Sequence, residues 1–419
     1  MKLASRYAIG SHRPFPSVLS QIAIISYDFI EKSQNSRPLL VYKALGDHAS
    51  VEQVKVYCAD FSHHKKQYVS FEHSDFQPLT VPAYRRNISF HRIFSYWIFA
   101  LKIAFNPALR DCSLLYFCVP ANELAIIALW YKWVLKKTVV LDVVDLWPEA
   151  FPLPSWLNHG VKFFLNLTSR PLRNWLFRQA DLIVTQSAYF QEKIGSPPNS
   201  QVVLMGTTHQ VDWRLKTAHR RSLQEQINIL YLGSINAIND LESLIEILMG
   251  LKQHRAVHLS VVGGGKRLPY LQQQVEALGI TTCFHGICFD PEVKNREFLR
   301  CHFGYNGYVP STEVAISYKS LEYLAHGLPL LNSTKGDSRQ LVESERLGFN
   351  FLPTRRSRQE LVGKLLNLSD AEYYQMQQQA LNTFEKYFAW PVFQQNLTQA
   401  LSQLEPEPSS PSEGLNQLN

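Results

Sequence analysis

Closely spaced cysteine pairs are missing from this sequence. Its six cysteines are scattered over 419 residues, and no two of them have the CxxC spacing of a zinc site or a redox motif. This pattern predicts reduced, mostly buried thiols in a cytoplasmic protein, and it predicts no metal site.

Long apolar runs and long basic blocks are missing as well. No segment reaches the roughly 18 uncharged apolar residues of a membrane span, and the first residues lack the apolar centre of a signal peptide. We therefore expect a cytoplasmic protein, with peripheral attachment to the inner face of the plasma membrane as an alternative. The formal charge of +7 is spread along the chain, which favours anionic ligands or an anionic membrane surface and predicts no nucleic-acid partner.

What the sequence does contain is a regular alternation of short apolar runs and helical patterns, which predicts two α/β domains with parallel sheets. The first series of predicted strands covers 21–27, 54–59, 114–119, 138–144 and 181–187, and the second covers 228–234, 257–265, 281–286, 302–308 and 328–333. The predicted helices cover 92–105, 121–136, 157–178, 240–252, 268–278, 291–299, 318–326 and 358–365. The predicted divisions are an extension (1–20), an N-terminal domain (21–210), a connection (211–226), a C-terminal domain (227–385), a helix returning to the N-terminal domain (386–404) and a disordered tail (405–419).

A dinucleotide-binding fingerprint is absent from the place where it would be expected. The first predicted strand is followed by YDFIEKSQNSRP rather than GxGxxG, which disfavours a Rossmann oxidoreductase.

Glycines follow three strands of the second series, at Gly233, at 263–265 and at Gly286. Ligands of open α/β sheets bind beyond the carboxyl ends of the strands, where glycine lets backbone amides approach an anion. The alternative is that these glycines only make tight turns between strands and helices.

The stretch SYKSLEYLAHG places Lys319 and Glu322 one turn apart at the start of a predicted helix. The helix N-terminus and the lysine suit a diphosphate, while the glutamate suits ribose hydroxyls. The alternative is an ordinary surface ion pair between the two side chains, which would contribute only a few tenths of a kcal/mol.

The segment YKSLEYLAHGLPLL resembles the signature of family-four retaining glycosyltransferases of the GT-B fold, in their bacterial polysaccharide branch. Further similar motifs follow the family's order: LDVVDLWPEAF, QADLIVTQS, ILYLGSI, LSVVGGGKR and KGDSRQLVESERLGFNF. The resemblance implies two Rossmann-like, doubly wound domains facing a central cleft. It also implies retaining transfer of a sugar from a nucleotide-sugar donor to a glycan or lipid-linked acceptor.

The resemblance also assigns donor contacts. It implies that Glu322 binds the ribose and that Lys319, with the backbone around it, meets the diphosphate and acts in catalysis. The other implied donor-binding residues are Tyr318, Ser320, Gly233, Ser234, Asn236, Gly264, Lys266 and Arg267. Such enzymes resemble metal-free catalysts in which cations and helix ends replace a metal ion, and no clear DxD-type motif or cofactor signature is present.

Two positions depart from the family pattern. Many relatives have a glutamate eight positions before Glu322, where this chain has Val314 and the neighbouring Glu313 is out of register. Many also have an arginine and a lysine after the first C-terminal strand, where this chain has Asn236 and Asn239. These departures leave open a noncatalytic GT-B subunit of a glycosyltransferase complex.

For the acceptor side, we expect Asp145 to orient or deprotonate the acceptor hydroxyl, with a helix-capping carboxylate as the alternative. Trp147 can stack on a sugar ring, and Glu149 follows it. Arg37 is expected in a loop between the domains.

Two segments, 84–105 and 161–179, combine bulky apolar residues with basic ones at helical spacing. Such segments suit an anionic lipid interface. The alternative is that their apolar stripes face the core of the domain.

Overall fold

The N-terminal part of the chain is built around one parallel sheet. The computed structural model describes residues 15–16, 19–31, 36–63, 65–86, 89–119, 122–146, 169–208, 222–288 and 290–404. The strands of this part are β1 Gln21–Ser26, β2 Gln53–Ala59, β3 Phe61–Ser62, β4 Gln67–Tyr68, β5 Phe76–Leu79, β6 Leu114–Val119, β7 Thr138–Val143, β8 Leu182–Thr185 and β9 Ser200–Val202. Its helices are α1 Arg37–Gly46, α2 Phe90–Ala104, α3 Asn122–Leu135 and α4 Ala188–Lys193, with a 3-10 turn at Pro107–Arg110 and a further helical stretch at 169–178.

The C-terminal part repeats this architecture. Its strands are β10 Gln226–Leu232, β11 Ala256–Val262, β12 Thr281–Phe284, β13 Phe303–Asn306, β14 Leu330–Asn332 and β15 Gly348–Asn350. Its helices are α5 Leu241–Lys252, α6 Leu268–Ala277, α7 Pro291–Arg300, α8 Tyr318–Ala325, α9 Gly336–Ser344, α10 Arg355–Asn367, α11 Asp370–Tyr387 and α12 Trp390–Leu401, followed by a 3-10 turn at Ser402–Leu404.

Both sheets have the doubly wound strand order. The N-terminal order is β5-β2-β1-β6-β7-β8-β9, the C-terminal order is β12-β11-β10-β13-β14-β15, and every pairing in them is parallel. The order reverses between β1 and β6 and between β10 and β13, where such sheets bind ligands. The predicted fold class is therefore confirmed.

Continuous apolar strands identify the centre of each sheet. All six residues of β6 are buried, because helices cover both faces of the sheet. The last helix, α12, packs Phe393 and Leu397 into the apolar cluster that contains α1 and one face of the N-terminal sheet.

The structure contains several helices and strands that the sequence analysis did not predict. Short strands such as β5, β9 and β15 were missed because they have only three or four residues and little alternation. The helix α1 was missed because its sequence begins with Arg37 and Pro38 after a polar stretch, although proline in the first helical turn is compatible with a helix start. Four predicted segments lie wholly or partly outside the described residues: 211–221 of the predicted connection 211–226, the tail from 405, most of the N-terminal extension and the first part of 161–179.

Candidate functional site

A cavity of about 410 Å³ lies between the carboxyl ends of the two sheets. The N-terminal domain contributes residues after β7 and β8, and the C-terminal domain contributes residues after β10 and β13 and from the start of α8. The lining residues are Val144, Asp145, Gln186, Met205, Leu232, Gly233, Ser234, Asn239, Tyr308, Val314, Ile316, Ser317, Tyr318 and Lys319. The structure thus brings together five of the residues expected from the sequence: Lys319, Asp145, Tyr318, Gly233 and Ser234.

The start of α8 is fixed by a row of hydrogen-bonded side chains. Asn332 donates to Asn350 at 2.7 Å, and Asn306 donates to Asn332 at 2.8 Å across the ends of three neighbouring strands. Ser317 donates to Asn306 at 2.7 Å and accepts from the amide of Ser320, which caps the helix. Ser320, which was expected to bind the nucleotide-sugar donor, is buried, and its hydroxyl donates a hydrogen bond to the Ser317 carbonyl at 2.6 Å. This row of polar side chains therefore fixes the position of the first turn of α8, which carries Lys319.

Lys319 is buried at the cavity wall, and its ammonium nitrogen has no hydrogen-bond partner among the residues that the structure describes. Burial lowers the pKa of Lys319 to about 7. The rings of Tyr308 and Tyr231 lie 4.5 and 5.0 Å from Nζ and favour the charged form. An unpaired buried amine of this kind is poised to take an anionic partner.

Glu322 is paired with a residue that sequence reasoning missed. Its carboxylate accepts a hydrogen bond from the ammonium of Lys294 on α7, and both side chains are largely buried. The expected alternative of a Lys319–Glu322 ion pair is therefore wrong. Lys294 lies 28 positions before Glu322, so no local spacing could have indicated this contact.

The glycines after β10 and β11 have different structural roles. A side chain at Gly263 would come within 1.9 Å of the Gly233 carbonyl oxygen, so Gly263 allows two strand ends to approach. Gly233 has a φ of +102° with open space around its missing Cβ, and it lines the cavity. Gly264 lies against the side chain of Ile287 and is not among the cavity-lining residues.

The remaining residues expected to bind the nucleotide-sugar donor lie beside the cavity. The side chain of Asn236 accepts from the backbone amide of Lys266 at 3.3 Å, and the backbone amide of Asn236 donates to the side chain of Asn239 at 3.0 Å. The Arg267 guanidinium pairs with Glu242 and stacks against Tyr270 at 4.9 Å. Asn236, Lys266 and Arg267 do not line the cavity, whereas Asn239 does.

Asp145 faces the same cavity from the N-terminal side. It is partly exposed, and its Oδ1 accepts from the amide of Leu146 at 2.8 Å. Trp147 and Glu149 lie outside the described residues, so their expected acceptor contacts stay predictions.

Arg37 is the first residue of α1 and does not lie in a loop as expected. Its Nε donates to both oxygens of Asp142, at 2.7 and 2.9 Å, and its Nη1 donates to the Val203 carbonyl at 3.0 Å. Tyr116 also donates to Asp142 at 2.7 Å. Although burial disfavours the charged guanidinium, the Asp142 carboxylate raises the pKa of Arg37 above its ordinary value.

Tyr318 makes a contact between the domains that was not foreseen. Burial raises the pKa of its phenol to about 12, while the Arg37 charge acts to lower it and the Asp142 charge acts to raise it. The first turn of α8 thus lies near the Arg37–Asp142 ion pair of the other domain.

Two further carboxylates join the domains. Asp337, on α9, accepts from the amides of Ala188 and Tyr189, both at 2.9 Å. Glu313 accepts from the hydroxyl of Tyr189. Asp337 lies in the KGDSRQLVESERLGFNF motif, but a contact with α4 could only be found once the two domains were placed together.

One family model of known proteins matches the C-terminal part of the chain. Residues 226–371 match the family model described as "Glycosyl transferases group 1". No curated protein matches the chain at a significant level of sequence similarity.

Solved structures share the whole fold at low identity. The Anabaena protein HepE, solved in complex with UDP, has 14% identity and a TM-score of 0.65 over 91% of this chain and 99% of its own. Sucrose-phosphate synthase from Thermosynechococcus elongatus has 15% identity and a TM-score of 0.68, over 91% and 98% of the two chains. The lipopolysaccharide outer core galactosyltransferase WaaB has 14% identity and a TM-score of 0.62, over the same shares. Residues 226–371 are therefore similar to the group 1 glycosyl transferases, within a chain that has the GT-B fold.

Proposed function

We propose that this protein transfers a sugar from a nucleotide-sugar donor to a glycan or lipid-linked acceptor, with retention of configuration, in surface polysaccharide biosynthesis. The observation that carries the proposal is Lys319, at the N-terminus of α8 and the wall of an interdomain cavity. Its buried amine has no hydrogen-bond partner in the described part of the chain. Structural relatives support the donor class, since HepE was solved with UDP-glucose. WaaB, named for outer core lipopolysaccharide, supports the polysaccharide context.

The chemistry proposed for the cavity is the exchange of one C–O bond for another. The bond between the sugar carbon and the donor diphosphate breaks, and the acceptor oxygen bonds to the same carbon. Lys319 and the positive end of the α8 dipole would meet the negative charge that grows on the leaving diphosphate. Asp145, on the opposite wall, would orient the acceptor hydroxyl or take its proton.

The first test is donor binding and turnover by the purified chain. Among nucleotide sugars and free nucleotide diphosphates, we expect one nucleotide to raise the unfolding temperature in proportion to the logarithm of its excess over Kd. The matching sugar donor should then be hydrolysed slowly without an acceptor. A noncatalytic subunit would release no sugar from any donor, and that result would refute the proposed activity.

We also propose an anionic membrane surface as a partner, through the outer face of α2. This face comprises Phe90, Ile93, Phe94, Trp97, Leu101 and Phe105, all of which are exposed. The opposite face, with Phe99 and Ile103, is buried in the core. Packing inside the domain therefore accounts for that face only and leaves the outer apolar face exposed. No acidic residue occurs between Tyr84 and Arg110, and Arg85, Arg86 and Lys102 are exposed there. Apolar side chains flanked by cations suit an anionic bilayer surface.

None of the helices in the described part of the chain has the length and apolar character needed to cross a bilayer. We therefore expect reversible attachment: the protein should float with phosphatidylglycerol-containing vesicles at low salt and much less with phosphatidylcholine alone. Phe94→Glu/Trp97→Glu should abolish flotation because it places charge in the apolar face. The control Leu352→Glu, at a similarly exposed position of the C-terminal domain, should float like the wild type. A wild-type protein that stays soluble with anionic vesicles would contradict the attachment.

A further inference from the structure

Three side chains able to ligate a metal ion meet where β12 ends beside α7. Cys283 is in β12, His285 follows the strand, and Glu297 is on α7. His285 Nε2 lies 3.2 Å from Cys283 Sγ and 3.1 Å from Glu297 Oε1. The three ligand atoms all lie within 4.8 Å of one another, and none of these residues lines the interdomain cavity.

The geometry around His285 fits a bound cation. Its Nε2 carries either one hydrogen or one lone pair, yet it faces a sulfur and a carboxylate oxygen at similar distances. A cation on the lone pair would be bound by all three groups. For zinc–sulfur and zinc–nitrogen bonds of about 2.3 and 2.0 Å in a tetrahedron, neighbouring ligand atoms are about 3.3–3.6 Å apart. The separations of 3.2 and 3.1 Å would need to widen only slightly.

Polar groups around the cluster support the ligand orientation. Ser260 donates to the second oxygen of Glu297 at 2.5 Å, and His258 Nε2 lies 3.1 Å from the Ser260 hydroxyl. Metal-ligating carboxylates are commonly held by such hydrogen bonds. Ser260 and Cys283 are paired in register on β11 and β12, which places them on the same face of the sheet.

The charge balance around Glu297 points the same way. The side chain of Glu297 is 2% exposed, and Arg296, whose Nε is 3.8 Å from Oε1, has a largely exposed side chain that can swing into solvent. A buried carboxylate is costly unless a positive charge stays near it. A bound divalent cation would provide that charge.

We propose that Cys283, His285 and Glu297 bind a zinc ion. The Cys283 thiol would lose its proton to solvent and bind as the thiolate, His285 would bind through Nε2, and Glu297 through Oε1. Because Cys283 and His285 are partly exposed, a water molecule could reach the fourth ligand position. The ion would fasten β12 to α7, the helix that also carries Lys294 next to Glu322. This proposal does not depend on the proposed glycosyl transfer.

The test is metal binding by the purified full-length chain. We expect Co²⁺ to give a near-ultraviolet thiolate-to-metal charge-transfer band that Zn²⁺ abolishes, and Zn²⁺ to raise the unfolding temperature. Cys283→Ser should remove the band and weaken zinc binding by about 100-fold or more, since losing even an outer partner of a metal site costs about 10–100-fold. His285→Ala, at a partly exposed position, should weaken binding similarly.

The matched control is Cys288→Ser, which changes a partly buried cysteine five positions away that is outside the cluster. It should keep both the band and the zinc-dependent rise in unfolding temperature. The proposal is overturned if the wild type shows no band and no stabilisation, or if the band survives in Cys283→Ser. Loss of the band in Cys288→Ser with retention in Cys283→Ser would likewise assign the metal to a different cysteine.

Discussion

Lys319→Met is expected to lower kcat for donor turnover by about 100-fold or more, the scale seen when one preorganised electrostatic group is removed from a transition state. The physical reason is that Lys319 would neutralise charge that is larger on the leaving diphosphate than on the bound donor. Lys319→Arg should restore only part of the rate, because a planar guanidinium does not reproduce a compact ammonium. Initial-rate kinetics of donor hydrolysis or transfer would measure both variants.

The same substitution should stabilise the protein in a pH-dependent way. The pKa of Lys319 falls from 10.5 to about 7 on burial, so between these values the unfolded chain holds a proton that the folded protein lacks. Wild-type stability relative to Lys319→Met therefore rises with pH across this window. Below pH 7 the folded protein must hold a buried ammonium, and there the methionine variant should be more stable by a few kcal/mol. Urea unfolding at pH 6 and pH 9 measures the difference.

Glu322→Ala serves as the matched comparison, because Glu322 lies one turn further along α8. If the carboxylate holds the ribose equally in the ground state and the transition state, KM should rise with a smaller fall in kcat. Full turnover by Lys319→Met would contradict the catalytic role given to the lysine. A stability difference between wild type and Lys319→Met that does not vary with pH would contradict the lowered pKa of the lysine.

Arg37→Met is expected to destabilise the fold by about 3–5 kcal/mol, because it leaves the carboxylate of Asp142 buried without its cation. Both side chains are almost completely buried. Arg37→Met/Asp142→Asn should recover most of the loss, since asparagine carries no charge and can still accept from Tyr116. Urea unfolding midpoints and slopes would compare the two variants with the wild type.

The acceptor-side role first assigned to Arg37 makes the opposite prediction. In that case Arg37→Met would weaken acceptor use with little change in the free energy of unfolding, and the second substitution would restore nothing. Measuring acceptor KM beside stability therefore separates a structural ion pair from an acceptor contact.

The strand β6 and the helix α8, which both have clear local patterns, were correctly predicted. The apolar run of β6 matches its strand bounds, and the pattern of YKSLEYLAHG predicts the helix α8 with Lys319 in its first turn. These predictions succeed because burial of a strand on both faces and capping of a helix leave local patterns in the residue order.

The contacts that define the sites were decided by tertiary structure. Glu322 pairs with Lys294 rather than with Lys319, Arg37 pairs with Asp142 across 105 positions, and His285 meets Glu297 through the packing of α7 on the sheet. The zinc site proposed at Cys283 departs from the prediction of no metal site, which rested on cysteine spacing. Spacing records only neighbours along the chain, whereas Ser260, Cys283 and Glu297 come together through strand register and helix packing. The sequence by itself determined the two sheets, the order of their motifs and the position of the lysine on α8. Which charges face one another depended on how those sheets and helices pack, because side-chain pairing acts through space between residues distant in sequence.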